Sequence, residues 1–210
     1  MKLIFSIEGN IGSGKSTLID RIKFSNKIEN VIYLPEPVSI WNEIKDSNGV
    51  GILEKYYQDQ KRYAFSFQMM AYISRLSLIR KALATPGDCI IITERSIYTD
   101  REIFAKMLHD SGKIEDIEYS IYLRWFNEFS EIKLDGIIYV QTTPEICSNR
   151  INNRNRKGEN SIPLSYLEDC HRYHENWILS LENVLYLDGK PEQDEEMVLK
   201  IKDFIQKFLI

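Results

Sequence analysis

The stretch Gly9, Asn10, Ile11, Gly12, Ser13, Gly14, Lys15, Ser16, Thr17 decides how the rest of the chain is read. It fits the phosphate-loop pattern of a glycine, four residues, then Gly-Lys-Ser. Each residue type has a physical reason to be there. Glycines let the backbone curl until successive N–H groups point inward at an anion. A helix starting at that point adds its unpaired N–H groups and the positive end of its dipole. Lys15 brings a full charge to the outer phosphates, and Ser16 brings a hydroxyl to Mg²⁺. The flanks agree: residues 2–8 (KLIFSIE) read as a buried strand, and residues 18–24 continue as a helix.

Outward from this loop, apolar runs and helical patterns alternate, as they do in a parallel sheet covered by helices. The expected strands are 3–8, 31–34, 89–93, 136–141 and 184–187, each short and rich in Ile, Val or Tyr. The expected helices are 54–84, stopped by Pro86-Gly87, then 101–109, 114–130, 144–153, 163–181 and 195–208. Pro144 and Pro163 suit first helical positions. Residues 152–161 (NNRNRKGENS) carry no apolar anchor and read as a mobile flap, part of a lid spanning about residues 150–162. The reading is a single domain over 1–210: an α/β, P-loop NTPase-type three-layer fold, a five-stranded parallel sheet flanked by helices, with an Arg-rich lid.

Bulk properties narrow the function classes. A net charge of -4 and a pI near 5.5 give no basic footprint for nucleic acid. No apolar run approaches the ~20 residues that span a bilayer. The cysteines, Cys89, Cys147 and Cys170, show no paired spacing, which argues for free thiols in a reducing compartment. The first strand follows Met1 almost at once, so no leader is expected and the chain is read as cytoplasmic.

Ligands of open parallel sheets bind beyond the carboxyl ends of the strands, and the chemically suggestive residues fall there. Glu36 stands between two prolines at the exit of the second strand, a carboxylate on a stiff arm. Such a group can accept the proton of a hydroxyl that attacks a γ-phosphate. An exposed turn glutamate is the competing reading. Glu94-Arg95 follows the third apolar run. The carboxylate suits Mg²⁺, and the guanidinium suits Glu36 or a developing phosphoryl charge. A surface ion pair is the plainer alternative. Arg150, Arg154 and Arg156 run from a helix end into the flap, where arginines can close over a transferring phosphoryl group and exclude water. Arginines there could also be no more than a solvated face. On the long helix, Gln68, Ala71 and Arg75 share a face. Gln68 offers donors and an acceptor to a nucleobase edge, Phe67 offers a stacking plane, and Asp100 is the expected partner of Arg75. By periodicity alone, that face reads equally as core with a polar edge. The exit of the last strand, Asp188-Gly189-Lys190, would border the nucleotide base.

Together these residues resemble the cellular deoxynucleoside kinases, which include deoxycytidine, deoxyguanosine and mitochondrial thymidine kinases. The likeness covers about residues 3–181. It rests on the phosphate loop, Pro35-Glu36-Pro37-Val38 with Trp41, Phe65-Ser-Phe67-Gln68, Glu94-Arg95-Ser96 with Tyr98 and Asp100, and Ile162-Pro163-Leu164 with Tyr166-Leu167. The resemblance implies Lys15 on the donor phosphates, Glu36 as base with Arg95 beside it, and Glu94 assisting Mg²⁺. It implies Gln68 on the base edge, with Phe67 and Phe104 on the two base faces. Tyr57 and Glu159 would hold the sugar 3′-hydroxyl; Ile11, Val38, Trp41 and Leu53 would wall the pocket; Arg150, Arg154 and Arg156 would form the lid. In the family, an arginine and an aspartate reaching the base accompany a preference for deoxycytidine and purine deoxynucleosides over thymidine, and Arg75 and Asp100 occupy those places. Family members are commonly homodimers, and Tyr63, Met70 and Ile73 on the long helix would permit that.

The chain departs from the family at two places. Tyr56 stands where an apolar residue is expected, and residues 188–194 lack an aromatic that some members hold near the donor base. Two other readings compete. A nucleoside monophosphate kinase shares the sheet, loop and lid, but its anionic acceptor would be repelled by Glu36. A catalytically inactive structural member would share the fold alone.

Overall fold

Five short runs rich in β-branched and aromatic residues form strands because such side chains fill a pleated surface buried on both faces. The computed structural model describes residues 1–154, 162–190 and 194–209. The strands are β1 (Lys2–Glu8), β2 (Val31–Leu34), β3 (Cys89–Glu94), β4 (Gly136–Gln141) and β5 (Val184–Asp188). All pair in parallel in the order β2-β3-β1-β4-β5. The chain leaves β1 toward one edge and later returns to the other side of it. The exit of β1 is therefore the topological switch point, where open α/β sheets bind ligands.

Ten α-helices among the described residues cover the sheet: α1 (Lys15–Ser25), α2 (Val38–Glu43), α3 (Ile52–Gln58), α4 (Gln60–Leu83), α5 (Ile97–Thr99), α6 (Lys106–Asp110), α7 (Asp116–Phe129), α8 (Pro144–Arg154), α9 (Leu164–Ile178) and α10 (Asp194–Gln206). Alternation along β1 splits the core. Leu3, Phe5 and Ile7 pack with Leu18, Ile22, Ile201 and Phe204 of α1 and α10. Ile4 packs on the other face with Tyr72, Leu76, Tyr122 and Phe126 of α4 and α7. Among the described residues no helix is long and apolar enough to cross a membrane.

Three expectations need correction. The helix expected over 54–84 is two helices, broken at Asp59, whose backbone leaves the helical region (φ -145, ψ 82). Its carboxylate accepts from the Arg62 N–H and caps α4. The helix expected from 101 begins as a π-helical turn, Asp100–Ala105. The wider turn brings Asp100 and Phe104 into the lining of one cleft. Pro163 is not the first helical residue but the extended residue that precedes α9. Helix α2 carries no strong sequence signal and forms because Trp41 buries its indole against α4, donating to Ser74 Oγ at 2.9 Å.

Candidate active site

At the exit of β1 the phosphate loop can close only because of its glycines. Gly12 has φ +77, and a Cβ there would lie 2.6 Å from the Cys147 carbonyl oxygen. Gly14 opens α1 with φ 101, which the β-carbon of any L-residue resists. Lys15 is buried, its ammonium donating to the Asn10 carbonyl at 2.7 Å. Burial, with Arg95 nearby, brings its pKa down to about 8. Ser16 Oγ donates to Glu94 Oε1 at 2.8 Å. Arg150 braces the loop from α8: one guanidinium nitrogen donates to the Ser13 carbonyl at 3.0 Å, the other to the Gly189 carbonyl at 2.8 Å.

Glu36, at the exit of β2, turns the same carboxylate oxygen to two guanidiniums. Its Oε1 lies 3.3 Å from Arg95 Nε and 3.7 Å from Arg75 Nη2. Arg95 sits in the left-handed region (φ 63), a position that costs a non-glycine residue energy. That turn is fixed by two bonds. Its N–H donates to the Ile7 carbonyl at 3.0 Å, and its carbonyl accepts from Thr93 Oγ1 at 2.8 Å. The consequence is a buried guanidinium under the cleft, 5.0 Å from the Phe104 ring centroid, with Nη1 lacking a partner among the described residues.

Arg75 is a junction. Its Nε donates to Asp100 Oδ2 at 3.0 Å and its Nη1 to the Glu94 carbonyl at 2.7 Å. Burial pushes the Asp100 carboxyl up to about 6, against the pull of Arg75. Gln68 and Ala71 lie on the same face of α4 and are buried beside it, and Gln68 Oε1 has no partner among the described residues. Phe67 packs between the Trp41 edge (5.2 Å, 79°) and the Tyr56 face (4.6 Å, 28°).

All these groups line one continuous cleft of about 520 Å³. Its two chemistries are distinct: a cationic, N–H-rich end at Gly12–Ser16, and an aromatic end with a polar floor at Gln68, Arg75 and Asp100. Of the residues singled out from sequence, Ile11, Gly12, Ser13, Gly14, Lys15, Ser16, Thr17, Glu36, Trp41, Leu53, Tyr57, Phe67, Gln68, Arg75, Glu94, Arg95, Asp100, Phe104, Arg150 and Arg154 line it. Gly9, Asn10 and Val38 are not in its lining. Asn10 turns back to α9, where its amide donates to the Leu167 carbonyl at 2.8 Å, and Val38 packs into the cluster around Trp41. Arg156 and Glu159 lie outside the described residues. Tyr166 and Arg21 also line the cleft. Tyr166 had only its place in a motif to mark it, and Arg21 only its position one turn beyond Thr17 on the same helix.

Among the described residues no group of three or more His, Cys, Asp or Glu could hold a metal ion. Ser16 and Glu94 offer one hydroxyl and one carboxylate in contact. That sparse set fits Mg²⁺, which keeps waters and takes further oxygens from a polyphosphate.

Residues 5–209 match the family model described as deoxynucleoside kinase. The chain is 43% identical to a probable deoxycytidine kinase of fowlpox virus, over 82% of this chain and 70% of the viral protein. It is 35% identical to the deoxycytidine kinase of Homo sapiens, over 95% and 90% of the two chains. It is also 35% identical to the mitochondrial deoxyguanosine kinase of Xenopus laevis, over 82% and 72%.

Proposed function

The chain belongs to the deoxynucleoside kinase family, and from that premise we propose that it transfers the γ-phosphate of ATP to the 5′-hydroxyl of a deoxynucleoside in nucleotide salvage. Deoxycytidine, deoxyadenosine or deoxyguanosine is taken in preference to thymidine. One observation carries the reading. A carboxylate restrained by two buried arginines shares a cleft wall with the phosphate loop and its buried lysine.

Each residue then has a task. The guanidiniums hold the Glu36 carboxylate in place, and it takes the proton as the 5′-oxygen attacks the γ-phosphorus. Lys15 and the loop N–H groups bind the phosphates. Arg150 and Arg154, with Arg156 beyond the described residues, close on the charge that spreads over the transferring group. Ser16 and Glu94 would hold Mg²⁺, which would supply positive charge to offset that of the phosphates. Phe67 and Phe104 take the base faces, Gln68 its edge, and Tyr57 with Glu159 the 3′-hydroxyl. Trp41 and Leu53 close the apolar wall. The Arg75–Asp100 pair crowds the methyl group of thymine and finds hydrogen-bonding groups on cytosine or a purine.

The same reading makes the protein a cytoplasmic homodimer. Free Cys89, Cys147 and Cys170 suit a reducing compartment. Tyr63 and Met70 are partly buried in the cluster around Trp41, so they are poor candidates for the contact. Ile73 of α4 and the stripe Ile117, Ile121, Trp125 of α7 are exposed, and they carry the dimer proposal.

A turnover panel tests the assignment: four deoxynucleosides, their ribonucleoside counterparts and the nucleoside monophosphates, with ATP and Mg²⁺. Faster turnover of a monophosphate than of its nucleoside would overturn the acceptor. Thymidine turnover equal to the other three would overturn the base preference.

A further inference from the structure

Two tyrosine hydroxyls meet inside the cleft. Tyr56 of α3 and Tyr166 of α9 lie 110 residues apart, and their oxygens are 2.8 Å from each other. Both rings are buried and both line the cleft. They come from different walls. Tyr56 belongs to the cluster of Trp41, Leu53 and Phe67. Tyr166 belongs to that of Met107, Cys170 and Phe104. The bond therefore ties one cluster of the lining to the other. Its members are fixed by packing: Tyr56 stacks on Phe67 at 4.6 Å and leans on Tyr57 at 5.0 Å.

We propose that this hydroxyl pair is the device by which the protein discriminates the sugar, admitting a 2′-deoxyribose and turning away a ribose. The inference rests on the reading of the cleft as a nucleoside site. In that reading, the acceptor is pinned at its 5′-oxygen by Glu36 and at its base edge by Gln68 and Asp100. The sugar lies between, against the wall formed by Tyr56, Tyr57 and Tyr166. Along that wall the Tyr56 and Tyr166 hydroxyls already answer each other, and each has a second partner, the Gln60 side chain at Tyr56 and the Cys170 thiol at Tyr166. A C–H at the 2′ position loses nothing there. A 2′-hydroxyl would be stripped of water and could pair with either oxygen only in competition with the partners it already has. The penalty corresponds to discrimination on the order of tenfold to a hundredfold. Phe at either position would keep the ring and release the other hydroxyl to pair with the sugar.

The test compares wild type with Tyr56→Phe and Tyr166→Phe in the full-length protein. The readout is the ratio of kcat/KM for cytidine to that for deoxycytidine, in which any loss common to both substrates cancels. Dissociation constants for the two nucleosides, read from intrinsic tryptophan fluorescence, to which Trp41 in the cleft lining contributes, give the same ratio without turnover. Wild type should favour the deoxynucleoside by tenfold or more, and each Phe variant should raise the cytidine-to-deoxycytidine ratio by about tenfold. If one variant fails to fold, the other and Tyr56→Met, which also removes the hydroxyl, carry the comparison. A ratio within twofold of wild type in the folded variants overturns the proposal, as does a wild type that takes cytidine and deoxycytidine equally. A wild type that phosphorylates and binds neither nucleoside overturns instead the assignment of the cleft.

Discussion

Replacing Glu36 by Gln isolates the base from everything else the carboxylate does. The side chain keeps its length and planarity between Pro35 and Pro37, and an amide oxygen can still accept from Arg95 and Arg75, now 3.3 and 3.7 Å from Oε1. What is lost is proton affinity. General-base assistance is worth about 10² to 10⁴ in rate. We expect kcat to fall by about 10³, or about 4 kcal/mol of transition-state stabilisation. The base contacts proposed for Phe67, Gln68, Arg75 and Asp100 are untouched, so the deoxycytidine dissociation constant should stay within about tenfold. The assay pairs steady-state turnover, with ATP and Mg²⁺ saturating, with titration of intrinsic tryptophan fluorescence by nucleoside. A Glu36→Gln protein that keeps more than a tenth of its kcat would falsify the assignment. Loss of nucleoside binding with kcat preserved would make Glu36 a binding residue instead.

Three further outcomes follow from the geometry. Lys15, with its pKa brought down to about 8, loses its charge in the free protein above that pH. ATP affinity should therefore decline from about pH 8 upward, by at most about tenfold per unit, and Lys15→Met should abolish the decline; a flat dissociation constant from pH 7 to 9.5 contradicts this. The sign for folding is opposite: between about 8 and the ordinary 10.5 the unfolded chain holds a proton that the native chain has lost, so the Lys15 contribution to stability grows as pH rises. Asp100→Ala leaves the buried Arg75 guanidinium with only the more distant Glu36 carboxylate and the Glu94 carbonyl, and should cost up to about 3–5 kcal/mol, a melting shift on the order of 10 °C; Arg75→Met added to it should recover part of the loss, and additive losses in the double variant count against the pair. Ile121→Lys with Trp125→Lys should turn a dimer into a monomer in sedimentation while the melting temperature stays within a few degrees; an unchanged sedimentation coefficient rules out the α7 stripe.

The sequence by itself determined the elements whose causes are local. The phosphate loop is legible because only glycine fits φ +77 and 101 at Gly12 and Gly14, and because the Lys and Ser follow at fixed spacing. The five strands are legible because a sheet buried on both faces demands unbroken apolar runs. Glu36 is marked by its prolines, Glu94-Arg95 by the strand that delivers them. What the tertiary structure alone decided has non-local causes. The break at Asp59 turns on a single capping carboxylate inside a continuous helical pattern. The π-helical turn at Asp100–Ala105 has no local residue code, although it brings Asp100 and Phe104 to the same cleft. The meeting of Arg75 with Asp100, Glu94 and Glu36 joins four elements. The hydroxyl bond between Tyr56 and Tyr166 closes a span of 110 residues. A periodic sequence fixes which face of an element turns inward; which side chain from another element waits there is set by how the layers pack.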